Sequence, residues 1–144
     1  MDKVTGMEIG KMLLSPTRTY LPVIKSILSL IPKDSIHGII HCTGGGQTKI
    51  LHFVDNLHII KDNLFDIPRI FEVIQEGSGC DWKEMYKVFN MGHRMELYVN
   101  PSVAMDIIEI CKNFNLDAKE IGRVESSEDK KLTISTKNGE YTYF

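Results

Sequence analysis

The chain has 144 residues, 42% hydrophobic and 25% charged, the profile of one ordinary globular domain with a sizeable core. Its formal net charge of −2 leaves no cationic excess to displace counterions, which argues against general nucleic-acid binding. No apolar run reaches membrane-spanning length: the longest, Val23 to Pro32, is interrupted by Lys25 and by serines, so no membrane partner is expected. Met1-Asp2-Lys3 leads into a polar segment and not into a secretory signal. Cys42, Cys80 and Cys111 are odd in number and widely spaced, which fits a reducing compartment; a cytoplasmic location is expected. His37, His41, His52, His58 and His93 pair with no cysteine or acid at metal-ligand spacing, so no metal site is expected in this chain.

In chain order, residues 1–14 carry little pattern. Ser15-Pro16-Thr17-Arg18 reads as a capping signal, a hydroxyl residue followed by proline. Tyr20, Ile24, Ile27, Leu28 and Ile31 then share one helical face, which Pro32-Lys33-Asp34 ends. Arg18, at that helix entry, reads first as a solvated charge and second as an anion contact. Ser35 to Cys42 reads as a strand, followed by Thr43-Gly44-Gly45-Gly46 and a short helix to Val54. Leu57 to Lys61 reads as a strand. Pro68 opens a helix with Ile70, Phe71 and Ile74 inward, and Gly77-Ser78-Gly79 stops it. Asp81 with Glu84 three positions on is a capping box that opens the next helix.

Asn90-Met91-Gly92 is a second glycine-bearing turn, and His93 to Val99 alternates as a half-buried strand does. Pro101 opens a helix with Val103, Ile107, Ile110, Cys111 and Phe114 inward and Asn115 at its end. Ala118 to Val124 reads as a strand. Glu125 to Lys131 reads as a charged connection, and Lys131 to Tyr143 as a hairpin whose Asn138-Gly139 suits a type I′ turn. The interleaving predicts an α+β fold (an α/β sandwich), a mixed sheet covered by helices and partly ferredoxin-like. One domain over 1–144 is expected, with 125–144 as charged linker and hairpin tail.

The three glycines sit where a strand gives way to a helix. Lacking Cβ atoms, they reach positive φ and let a ligand approach the backbone. By themselves they fit a tight turn at least as well as a phosphate cradle. The run is neither a P-loop, since no Gly-Lys-Ser/Thr follows, nor a dinucleotide fingerprint.

Two blocks decide the matter. Thr43-Gly44-Gly45-Gly46 preceded by His41, and Glu84-Met85-Tyr86-Lys87-Val88-Phe89-Asn90-Met91-Gly92, closely resemble signature stretches of the aminoimidazole ribonucleotide synthetase family, also called phosphoribosylformylglycinamidine cyclo-ligase. Leu14-Ser15-Pro16-Thr17-Arg18-Thr19-Tyr20 resembles the family's "L-x-P-T-R-x-Y" entry, Asp66 to Phe71 its "P-x-x-F" helix start, and Asn115 to Val124 its closing strand. The blocks run in family order from about Gly10 to Val124. They match only the C-terminal half of the family's polypeptide.

The resemblance implies the C-terminal domain of an ATP-dependent cyclo-ligase of de novo purine biosynthesis. In that reaction formylglycinamidine ribonucleotide becomes aminoimidazole ribonucleotide, with ADP and phosphate. It further implies that the missing N-terminal ATP-binding domain supplies the nucleotide and Mg2+ site and the homodimer contact, so that this chain alone does not turn over. Thr43, Gly44, Gly45 and Gly46 are then expected on a phosphate, with Asn90, Met91 and Gly92 as the neighbouring wall and Arg18 beside them. His41 is the candidate for proton transfer, though no catalytic residue is assigned. The chain departs from the family's "T-G-G-G-x-x-x-N-x-x-R" in having Ile50 and Phe53; Lys49 or His52 stands close enough in sequence to compensate. His93-Arg94 adds positive charge after the second turn. Two other classes are carried alongside: a related ATP-dependent synthetase, and a non-catalytic small-ligand-binding or partner-docking module.

Overall fold

The computed structural model describes residues 1–16 and 18–144. In chain order it contains α1 (Ile9–Leu13), α2 (Leu21–Leu30), β1 (Ile36–His41), β2 (Leu57–Lys61), α3 (Arg69–Ser78), α4 (Trp82–Val88), β3 (Met95–Val99), α5 (Pro101–Asn113), β4 (Gly122–Ser126), β5 (Lys131–Thr136) and β6 (Gly139–Tyr143). Short 3-10 turns cover Lys33–Ser35 and Gly46–His52. The fold is α+β, a mixed sheet flanked by helices. Contacts divide the chain into two compact units, one of Met1–Ser15, His41–Arg94 and Ile121–Phe144, the other of Pro16–Ile40 and Met95–Glu120.

The first unit is built on the sheet β4-β2-β5-β6. β2 runs antiparallel to β4 and parallel to β5, and β5 and β6 form the hairpin. Alternation puts Ile59, Leu132, Ile134 and Tyr143 on the buried side. His58 and Thr133 point the other way and share a hydrogen bond of 2.9 Å. Burying each large aliphatic contributes about 1.5–3 kcal/mol, so this row accounts for much of the unit's cohesion. α4 is tied to β6 by the Tyr143 hydroxyl, which donates to the Lys83 carbonyl at 2.7 Å. Met85 and Tyr86 of the same helix are buried.

Local chemistry explains the helix ends. The Asp81 carboxylate accepts from the Glu84 amide at 2.8 Å, a cap of about 1 kcal/mol. Glu84 itself reaches forward to Lys87 at 3.5 Å. Gly79 closes α3 at φ +67, with its amide on the Gln75 carbonyl at 2.9 Å.

In the second unit, α2 and α5 pack together through Val23, Ile27, Ile31, Val103 and Ile107, with Ile36, Leu97 and Val99 of β1 and β3 against them. The four-residue spacing of Val23/Ile27/Ile31 and Val103/Ile107 places each set on one face. β1 and β3 form a separate two-stranded sheet.

Several expectations change. The N-terminal stretch holds α1, a five-residue helix none of whose residues is buried, so no core-facing pattern announced it. The capping signal at Ser15–Arg18 does not open a helix: α2 begins at Leu21, with Pro22 in its first turn and Tyr20 as the preceding residue. Thr17 lies outside the described residues. The strand read over Ala118–Val124 is shifted to Gly122–Ser126, because Gly122 is where the chain passes close against Ile60. The hairpin turn is not type I′, which needs positive φ at both central residues: Thr136 pairs with Gly139, so the central residues are Lys137 and Asn138, and neither has positive φ.

The N-terminal turn has its own electrostatic anchor. The Asp2 carboxylate accepts from the Thr5 amide and hydroxyl, both at 2.8 Å, and from Arg69 Nε at 3.1 Å. Those bonds, the Thr5 amide first, lower its pKa from 3.8 to about 2. A carboxyl group depressed on folding stabilises above its ordinary pKa and loses that contribution as pH falls toward the folded value. The Thr5 amide resonance, followed by NMR against pH, is therefore expected to report a midpoint near 2. A midpoint near 3.8 would show that the anchor is not formed.

Candidate functional site

The glycine loop follows β1 directly. Cys42, buried, donates its amide to the Arg94 carbonyl at 2.9 Å and fixes where the strand ends. The Thr43 amide then bonds the His41 carbonyl (2.8 Å) and the Gly46 amide the Thr43 carbonyl (3.0 Å). Gly45 at φ +87 and Gly46 at φ +47 turn the chain into the 3-10 segment Gly46–His52, in place of the regular helix expected there. The reason for glycine differs along the loop. A Cβ on Gly46 would lie 2.5 Å from the Phe89 carbonyl oxygen, so this glycine serves packing. A Cβ on Gly44 would meet nothing within 4 Å. The amides of Gly44 and Gly45 donate to no protein acceptor among the described residues.

Lys49 completes the loop. Its ammonium donates to the Thr43 hydroxyl at 2.8 Å and to the His41 carbonyl at 3.0 Å. A half-buried cation, a hydroxyl and two open amides are thereby gathered on one short stretch. Charge-assisted donors of this kind suit an anionic oxygen. Ile50, which replaces a polar residue of the family pattern, is buried, while Phe53 and His52 are exposed.

The second turn lies against the first. Asn90 folds its side chain back so that Oδ1 accepts from the Gly92 amide at 3.0 Å. Met91, buried, sits at φ +51 and Gly92 at φ +97. A Cβ on Gly92 would come within 2.9 Å of the Pro68 ring. Gln47 bridges the two turns, its Nε2 donating to the Asn90 carbonyl at 2.6 Å.

So the structure brings Thr43, Gly44, Gly45 and Gly46 together with Asn90, Met91 and Gly92 in the first unit. Arg18 belongs to the second unit, where it donates to the Asn115 carbonyl at 3.3 Å and borders a groove with Thr19, Pro22, Val23, Phe114 and Leu116. His41 is exposed, and it is its carbonyl that serves the loop. His93 adds no charge to the second turn: its Nε2 accepts from the Phe65 amide at 3.0 Å, which requires the neutral ring. Among the described residues no group of three or more His, Cys, Asp or Glu side chains is placed to hold a metal ion. No helix of the described chain is long and apolar enough to cross a membrane. Sequence reasoning named Lys49 only as a substitute and passed over Gln47 and Lys61, whose roles depend on partners far along the chain.

A family model described as "AIR synthase related protein, C-terminal domain" matches residues 5–135. A phosphoribosylformylglycinamidine cyclo-ligase of Syntrophus aciditrophicus is 38% identical over 93% of this chain and 39% of its own length. Another, from Methanobrevibacter smithii, is 35% identical over 99% of this chain and 41% of its own. The chain thus spans about two fifths of the curated relatives it matches. Among solved structures, E. coli HypE, a hydrogenase maturation protein, superposes with a TM-score of 0.60 at 18% identity, covering 87% of this chain and 38% of that one, a likeness of fold.

Proposed function

The chain belongs to the AIR synthase related C-terminal domain family, and from that premise we propose that it is the C-terminal domain of an ATP-dependent cyclo-ligase of purine biosynthesis. The reaction closes the imidazole ring of aminoimidazole ribonucleotide from formylglycinamidine ribonucleotide. The observation that carries this reading is the cyclo-ligase relatives, among them one 38% identical over 93% of this chain. In the reaction ATP phosphorylates the amide oxygen and an amidine nitrogen displaces phosphate, so the protein's task is chiefly positioning and charge neutralisation. Thr43, Lys49 and the open amides of Gly44 and Gly45 suit the ribonucleotide's phosphate, with Asn90, Met91 and Gly92 as the adjoining wall. Metal and nucleotide are assigned in this reading to the part of the relatives that this chain does not span, as are the homodimer contact and turnover.

Calorimetric titration with formylglycinamidine ribonucleotide, with ATP–Mg2+ alongside, tests this. Heat is expected with the ribonucleotide. Gly44→Val, which crowds the loop where the fold leaves open space, and Lys49→Met are each expected to weaken binding by roughly tenfold to a hundredfold, the worth of a charge-assisted hydrogen bond. Gly45 is a poorer probe, because its φ of +87 strains any replacement. No heat with either ligand would refute a ligand site contained in this chain.

A further inference from the structure

Gln47 is 1% exposed, yet it carries a polar side chain into the interior. The neighbouring groups decide how its amide sits. On one side is the Lys61 ammonium of β2, itself 2% exposed, which donates to Gln47 Oε1 at 3.0 Å and to the Gln47 carbonyl at 2.9 Å. On the other is the Asn90 carbonyl, 2.6 Å from Nε2. An ammonium has only donors and a carbonyl only an acceptor, so Oε1 must face Lys61 and Nε2 must face Asn90. Asn90 O also accepts from the His93 amide at 2.9 Å, and Asn90 Oδ1 from the Gly92 amide. One side chain thus ties the exit of the first glycine loop to the last residue of β2 and to the Asn90 carbonyl of the second turn.

We propose that Gln47 is a positioning residue which, through both ends of its amide, fixes the Asn90–Gly92 turn against the Thr43–Gly46 loop and so sets the ligand affinity of the pair. The affinity part rests on the reading of the glycine loop as a ligand site; the coupling of the two turns does not. An apolar residue would fill the same space but remove the Oε1 acceptor that faces Lys61 and the donor that faces the Asn90 carbonyl. Glutamate separates the two roles. It keeps the length and the acceptor for Lys61, but sets a carboxylate oxygen against the Asn90 carbonyl, where two acceptors repel.

The test uses the chain with Gln47→Glu and Gln47→Met, read three ways: thermal unfolding, amide hydrogen exchange of Met91, Gly92 and His93 without ligand, and titration with formylglycinamidine ribonucleotide. Gln47→Glu is expected to unfold within a few degrees of the unaltered chain, while exchange at the turn quickens about tenfold and affinity falls about tenfold, the worth of one buried hydrogen bond. Gln47→Met is expected to show both effects together with lost stability. Should the methionine variant not fold, the glutamate variant alone decides. Unchanged exchange in Gln47→Glu would overturn the coupling of the turns. Quickened exchange with unchanged affinity would overturn the link to ligand. In Gln47→Glu, stability falling in step with both would overturn it too, leaving only a role in the fold. If the unaltered chain binds no ribonucleotide, the loop reading fails on its own account, and exchange still decides the coupling.

Discussion

Gly46→Ala is expected to destabilise the chain by about 3 kcal/mol, the sum of a strained left-handed residue and an overpacked contact. The added methyl would lie 2.5 Å from the Phe89 carbonyl oxygen, 2.7 Å from its carbon and 2.8 Å from its nitrogen, at φ +47. All three are backbone atoms, so no rotamer relieves the clash; α4 would have to move from the 3-10 segment. Two positions earlier the same substitution should do nearly the opposite. Gly44 has open space and no positive φ, so Gly44→Ala restricts the unfolded chain at little folded-state cost and shifts stability by roughly 0 to +1 kcal/mol. Urea unfolding of the two variants side by side provides the check. Equal midpoints would mean that the loop does not pack against Phe89 as described.

Gly122→Ala is expected to cost about 3 kcal/mol, at the upper end for an overpacked site. A Cβ there would collide with the Ile60 carbonyl oxygen and fall 2.9 Å from Lys61 Cα. Gly122 is the first residue of β4, opposite Lys61, and the Asp62 and Asn63 amides both donate at 3.1 Å to the neighbouring Ile121 carbonyl. The clash therefore falls on the hydrogen-bonded start of the β2–β4 pair. Loss of slow amide exchange along Leu57–Lys61, with the α2–α5 core still protected, is the expected signature. A variant as stable as its parent would place β4 in another register.

What could be read from the sequence was whatever is written locally. The four-residue spacing of Val103 and Ile107 gave α5, Gly79 the end of α3, and Asp81 with Glu84 the start of α4. Both glycine-bearing turns were legible as turns, since positive φ at Gly45, Gly46 and Gly92 asks for that residue type. What could not be read depends on remote partners. The tight 3-10 winding after Gly46 answers to the proximity of Phe89, and the start of β4 to the proximity of Ile60. Lys61 lies 14 positions from Gln47, and Gln47 lies 43 from Asn90; nothing in the spacing of these residues announces a network. Lys61 reads as the polar end of a strand until the fold buries it.

The order in which the strands leave the ribosome bears on how the sheet is completed. The neighbours of Ile59 in β2, Val124 and Leu132, are made 65 and 73 residues later. Until then a nascent β2 carries Ile59 and Ile60 with both hydrogen-bonding edges bare. Pairing of such long range is slow, because the chain must close a large loop before any contact offsets its entropy. The second unit faces the same delay, since Pro16–Ile40 waits for Met95–Glu120. Neither unit can be finished from an N-terminal half alone, so both depend on synthesis reaching the last third of the chain. A holding chaperone that covers β2 in the interval would raise the yield of folded protein without touching the finished molecule.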